Sequence, residues 1–196
     1  MAKDKYHHGT LKEDLINKGL ELLNKEGFEG FSLRKVASMC GVSHTAPYKH
    51  FKDKDELIEA IVLEVSEAFS NSLLQSTEKY PDNPRLQIIE MGKAYVRFMV
   101  ENPEYLEFLF LNEHKHPIII TNNKLEHKEG TPFDIFKKSC WSYCESINLN
   151  KELYYLETIS MWSSVHGIAL LIANKVIEYK DDYLELVEKI IDEKIK

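Results

Sequence analysis

Cysteine is scarce in this chain of 196 residues: there are three, an odd number and too few to staple a domain of this length with disulfides. Eight glycines and six prolines are also few, which excludes collagen-like and low-complexity chains. Long apolar runs are absent. The longest, residues 168–173, falls far short of the roughly 18 residues a membrane span requires. The opening "MAKDKYHHGT" carries charge with no apolar segment behind it, unlike a secretory signal. Together these absences predict a cytoplasmic protein. We also find no glycine-rich phosphate loop, no nucleophile elbow and no zinc-protease helix motif. No catalytic residue, metal site or cofactor is therefore assigned, and an enzyme is the disfavoured alternative.

What is present is charge of both signs, unevenly spread. The net charge is −7, but residues 1–52 hold nine Lys or Arg against six Asp or Glu, while the remainder has a large acidic excess. A cationic head on an acidic body suits local binding to a polyanion without general stickiness.

Apolar residues recur at three- and four-residue steps, and no alternating run is long enough to predict a strand, so the fold class is all-α with about nine helices. Thr10-Leu11-Lys12-Glu13 fits a capping box, with Leu11, Leu15, Gly19, Leu22 and Leu23 on one face up to Gly27. Ser32 caps a short second helix that ends at Gly41, and Ser43 caps a third. Asp53-Lys54-Asp55-Glu56 opens a long fourth helix striped by Leu57, Ile61, Val65, Phe69 and Leu73. Asn83-Pro84, Asn102-Pro103 and Thr131-Pro132 each mark a later helix start. Residues 114–130 lack a helical period and read as a loop. Residues 151–174 and 182–194 form the last two helices.

Two short helices joined by a glycine turn after a longer support are the sequence form of a helix-turn-helix. Ser43, His44, Thr45, Tyr48 and Lys49 then crowd one exposed face with donors suited to phosphates and base edges. The plain alternative is a solvated polar face. Thr10 and Ser32 stand at helix N-termini, where phosphate is readily bound.

From Thr10 to Ile61 the chain resembles the TetR-type transcriptional regulators, through "KEGFEGFS", "LRKVASMCGVS", "PYKHF" and "KDKDELIEAI" in order and spacing. The resemblance implies a helix-turn-helix DNA-binding domain over residues 1–56 and a larger helical ligand-binding and dimerisation domain over residues 57–196. It places Tyr48 and His50 among phosphate-contacting residues, Lys54 at the DNA backbone, and Ser43, His44, Thr45 and Lys49 on the recognition helix. "WSSVHG", residues 162–167, resembles the Trp-His-Gly signature of one C-terminal domain type in that family. The departure is Pro47, where family members carry a leucine or another helix former; after a Ser43 cap it either delays or bends the recognition helix.

The implied partners are double-stranded DNA, a second copy of the chain and a small-molecule effector, with release from a palindromic operator as the expected response. Candidate effector contacts are Tyr95, Phe98, Trp141, Trp162 and His166, drawn from an aromatic set that also includes Tyr105, Phe108, Phe136 and Tyr143. Core packing is the competing explanation for every one of them. Glu113, His114, His116 and His127 have ligand chemistry but only loop context, and Cys140 and Cys144 share a helix turn without a second pair to complete a zinc site. Ser160, Ser164, Gly167 and Leu171, with Leu184, Val187 and Ile191, could build a dimer face or simply pack within the chain. A ligand- or protein-binding dimer with a vestigial head is the remaining alternative.

Overall fold

The structure, a computed structural model, describes residues 10–106, 109–110 and 117–195. The chain divides into two compact units, the first ending at Glu64 and the second beginning at Val65. The division falls inside one helix.

In the first unit, α1 (Thr10–Gly30) buries Leu11, Leu15, Gly19, Leu22 and Leu23, the face the spacing predicts. Gly27 breaks it: at φ 68° the backbone leaves the helical region, and a side chain there would be strained. Helix α2 (Leu33–Met39) opens at Ser32, whose hydroxyl accepts from the Lys35 amide at 3.3 Å. Gly41 turns the chain out of α2 with φ 68°. The third helix is not an α-helix. It is a single 3-10 turn, Ala46–Lys49, and the Ser43 side chain does not cap it. The Ser43 hydroxyl instead meets the Thr45 hydroxyl at 3.1 Å, while the Ser43 carbonyl accepts from the Ala46 amide at 2.9 Å. Pro47 accounts for the late start, because it lies in the first turn, where its missing N–H has no helical acceptor to lose.

Helix α3 (Lys54–Thr77) starts on a tight cap. Asp53 Oδ1 accepts from the amides of Asp55 and Glu56 at 3.1 and 3.0 Å, and the Glu56 carboxylate reaches back to the Lys52 amide. Its stripe Leu57, Ile61, Val65, Phe69 and Leu73 is almost wholly buried.

The second unit centres on α4 (Pro84–Glu101), which packs against α5 (Pro132–Ser146), α6 (Tyr154–Ala173) and α7 (Tyr183–Lys194). Asn83, Thr131 and Asp182 cap α4, α5 and α7 through their side chains, and a 3-10 turn, Lys151–Leu153, leads into α6. Asn102 behaves differently from expectation. It ends α4, its amide group donating to the Phe98 carbonyl, and the segment it was expected to open runs into residues outside those described.

The expected loop contains an antiparallel hairpin, β1 (Ile119–Thr121) with β2 (Lys124–Glu126). Asn122 and Asn123 both take positive φ, 50° and 61°, as a two-residue turn between twisted strands requires. Three-residue strands are too short to show a period, which is why the sequence concealed them. Beyond β2, the His127 Nδ1–H donates to the Lys128 carbonyl at 3.0 Å, leaving Nε2 to accept from Lys137 Nζ at 2.7 Å.

Residues 151–173, ending with α6, are long and apolar enough by length and composition to cross a membrane, which the count of unbroken apolar runs missed because Ser and Thr interrupt them. One such helix is weak evidence, since a core helix passes the same test. Helix α6 buries Thr158, Met161, Val165 and Ala169.

Close packing of α4 hinges on Gly92. A Cβ there would run into Ile191 and press on Val165 at 3.3 Å. Gly92→Ala is expected to destabilise the protein by about 1–3 kcal/mol, read as a lower chemical-denaturation midpoint. An unchanged midpoint would show that the end of the Ile191 side chain turns aside and that the helix propensity gained by alanine offsets the remaining strain.

Candidate functional site

The turn after α2 presents side chains outward from a small, well-anchored base. Pro47 and Phe51 are buried, and the Pro47 carbonyl accepts from both the His50 and the Phe51 amides at 2.9 Å. Lys12 Nζ lies 5.8 Å from the centre of the Phe51 ring, tying the turn to α1. On this base Ser43, His44, Thr45, Tyr48 and Lys49 are all exposed and His50 is half-buried. Tyr48 is 59% exposed, an aromatic ring held in solvent on a rigid turn.

Lys54 stands exposed at the first residue of α3. Ser32 is half-buried, with its hydroxyl occupied by the Lys35 amide. For Thr10 only the backbone is described, at the first residue of α1. Arg34 was not anticipated. It is exposed two residues after the Ser32 cap, and its guanidinium makes no ion pair among the described residues. Its neighbour Lys35 is instead held by Glu26 at 2.7 Å and the Gly30 carbonyl at 2.8 Å. An Arg in the first turn behind a serine cap was the available signal.

All five expected effector contacts lie in the second unit, and four of them gather in one aromatic cluster. Tyr95, fully buried on α4, shares a 2.8 Å hydrogen bond with His166 Nδ1 on α6. Burial pushes the Tyr95 phenol well above its usual range and lowers the His166 imidazole, so the pair is neutral near pH 7. Trp162, one turn before His166, meets Tyr95, Phe133 and Phe136 edge-on with centroids 5.0–5.2 Å apart. Phe98 stacks on Phe69 at 4.8 Å, and Phe69 meets Tyr95 at 5.0 Å.

Trp141 stands apart. It is 40% exposed on α5, donates to the Thr158 hydroxyl at 3.2 Å and packs against Tyr154 and Lys137. A position chosen for ring chemistry alone carried no information about which face of α5 it occupies.

Phe108, Glu113, His114 and His116 lie outside the described residues. Among the described residues no three His, Cys, Asp or Glu side chains gather as metal ligands. Cys140 and Cys144 are buried, and the hydrogen bond to Cys144 together with burial pushes the Cys140 thiol up, away from reactivity. Val187 and Ile191, considered for a dimer face, are buried within the chain against its own core.

Two family models match the chain. Residues 15–61 match the bacterial regulatory proteins of the tetR family, and residues 88–193 match the tetracyclin repressor-like C-terminal domain, which alone covers more than half of the sequence. The chain belongs to the TetR family. It is a transcriptional regulator with a helix-turn-helix DNA-binding domain, and family and relatives alike indicate a regulator rather than an enzyme.

Among similar proteins, the class D tetracycline repressor of Escherichia coli is 30% identical over 88 residues, 44% of this chain and only 40% of that repressor. The uncharacterized HTH-type transcriptional regulator YobS of Bacillus subtilis (strain 168) is 24% identical over 185 residues, 90% of this chain and 86% of its own. A solved structure of a protein with unknown function from Rhodococcus sp. RHA1 shares the fold, with a TM-score of 0.77 at 24% identity over 97% of this chain and 96% of that one.

The exposed Lys54 is expected to act on phosphate alone. Lys54→Ala should weaken binding to all duplex sequences by a similar factor and reduce the slope of log K against log salt by about 1. Lys49→Ala should instead change preference among operator variants. An unaltered salt slope in the first variant, or uniform weakening in the second, would reverse these assignments.

Proposed function

We propose that this TetR-family regulator is a homodimeric repressor that binds a palindromic operator and is released by a small molecule. The observation that carries the reading is the exposed row His44, Thr45, Tyr48 and Lys49 on a turn fixed from below by Pro47 and Phe51. Ser43, His50, Lys54, Arg34 and the helix starts at Thr10 and Ser32 complete a donor-rich surface for phosphates around it. Pro47, the feature that favoured a vestigial head, supports the turn instead of breaking it.

A 3-10 turn of four residues reaches few base pairs, so specificity favours two heads on a two-fold site, with half-sites about 34–36 Å apart or at another spacing set by the dimer. The face that would take the second copy in this reading lies on α6. Leu156, Ser160, Ser163, Gly167 and Leu170 fall on one side of the helix; Leu156 and Leu170 are 52% and 42% exposed, and a Cβ at Gly167 would meet nothing within 4 Å. Ile190 on α7 is likewise exposed. Small residues between exposed leucines let a partner helix approach closely.

The effector reading rests on Tyr95, Phe98, Trp162 and His166, where rings surround one neutral hydrogen-bonded pair. That lining favours a ligand with an apolar or aromatic body and one polar group. A tenfold loss of operator affinity requires the ligand to prefer the released state by about 1.4 kcal/mol.

The pair of substitutions Leu156→Asp and Leu170→Asp tests the reading. Sedimentation should show a monomer, and operator affinity should fall by about 100-fold or more as one half-site is lost. A variant that stays dimeric, or a monomer that binds as tightly as the parent, would contradict it.

A further inference from the structure

Two N–H groups of the aromatic cluster are left unused by the fold. Tyr95 is fully buried, and its phenol makes one hydrogen bond among the described residues, to His166 Nδ1. A buried phenol proton needs an acceptor, so the phenol donates and Nδ1 accepts. A neutral imidazole carries one proton, which then sits on Nε2. Burial lowers the His166 pKa and keeps the ring in this neutral form. His166 Nε2–H is therefore a donor, and nothing among the described residues accepts from it.

Trp162 stands one turn earlier on the same face of α6. Tyr95, Phe133 and Phe136 hold its ring edge-on, with centroids 5.0–5.2 Å away, yet its Nε1–H also lacks an acceptor among the described residues. Trp162 and His166 are half-buried. Among the described residues, the Ser70 hydroxyl of α3 is the one side-chain nitrogen or oxygen both sealed from solvent and without a partner, so the two nitrogens of α6 stay open to contact. Phe110 lies beside both rings, 4.7 Å from His166 and 6.2 Å from Trp162, and supplies an apolar wall. The other tryptophan gives the contrast, since Trp141 Nε1–H already donates to the Thr158 hydroxyl.

The charges of the neighbouring helix are committed to one another. Asp134, beside Phe133 on α5, accepts from Lys138 Nζ at 2.8 Å and the Gly130 amide at 3.1 Å. Lys137 Nζ donates to His127 Nε2 at 2.7 Å and lies 3.5 Å from Asp134. Among the described residues the cluster thus offers donors without a free ion. A ligand ammonium would find no acceptor there, and a carboxylate no cation to offset its desolvation.

We propose that the effector is an uncharged carbonyl compound, a ketone or amide on an apolar body, whose oxygen accepts from the N–H groups of Trp162 and His166. A carbonyl oxygen has two lone pairs and can take two donors. The body of the ligand lies against Phe110. This assignment rests on the effector reading of the cluster and adds the chemistry of the polar group.

The test is an NMR titration of the full chain with benzylacetone that follows the two indole N–H signals, assigned by the loss of one in Trp141→Phe. Low-millimolar binding is expected for a ligand of this size, with the Trp162 indole proton moving downfield and the Trp141 signal fixed. The matching secondary alcohol, the matching primary ammonium and 3-phenylpropionate are the comparison probes. The ketone should bind at least about threefold more tightly than the alcohol and about tenfold more tightly than either ion. Trp162→Phe, which keeps a ring and removes the N–H, should cost the ketone about threefold or more. Equal or tighter binding of the alcohol or an ion while the Trp162 signal moves, or a ketone affinity unaltered by Trp162→Phe, would overturn the carbonyl assignment alone. A Trp162 signal that none of the four probes moves would overturn the effector reading with it.

Discussion

One apolar stripe, repeated every four residues along α3, supplies buried side chains to each of the two units. Leu57 and Ile61 fill the core of the first unit; Val65, Phe69 and Leu73 continue the same stripe into the second. Each is almost fully buried, and each contributes on the order of 1.5–3 kcal/mol by leaving water.

At the turn after α2 the structure relies on economy of length. A full α-helix after Gly41 would need an N–H where Pro47 has none. A single 3-10 turn avoids that loss, and it lets the proline ring and Phe51 sink into the core while the intervening Tyr48 and Lys49 point to solvent. The buried base holds the few side chains that the turn exposes without help from a longer helix.

Much of this organisation was legible in the sequence because it is written in local chemistry. Caps at Ser32, Asn83 and Thr131, the breaks at Gly27 and Gly41, and the four-residue stripe of α3 all depend on neighbours within one turn. What stayed hidden depends on partners far along the chain or on very short elements. The hairpin at residues 119–126 has no period to detect. Trp141 and Trp162 look equally suited to a pocket until their helix faces are known, and Val187 and Ile191 looked suited to a dimer face until α4 was seen to claim them. Ser43 looked like a cap, but the cost of a proline four residues later moved the turn's start past it. Ser70 gave no sign at all, since an unmade bond is invisible in a sequence.

The most direct measurement is selection of binding sites from random duplex DNA with the purified full-length protein at moderate salt. The account predicts a palindromic motif enriched about tenfold or more over unselected sequence, read by two recognition turns held on one dimer. Absence of enrichment at every salt concentration, despite a folded protein, would contradict it and leave the exposed turn without a sequence to read.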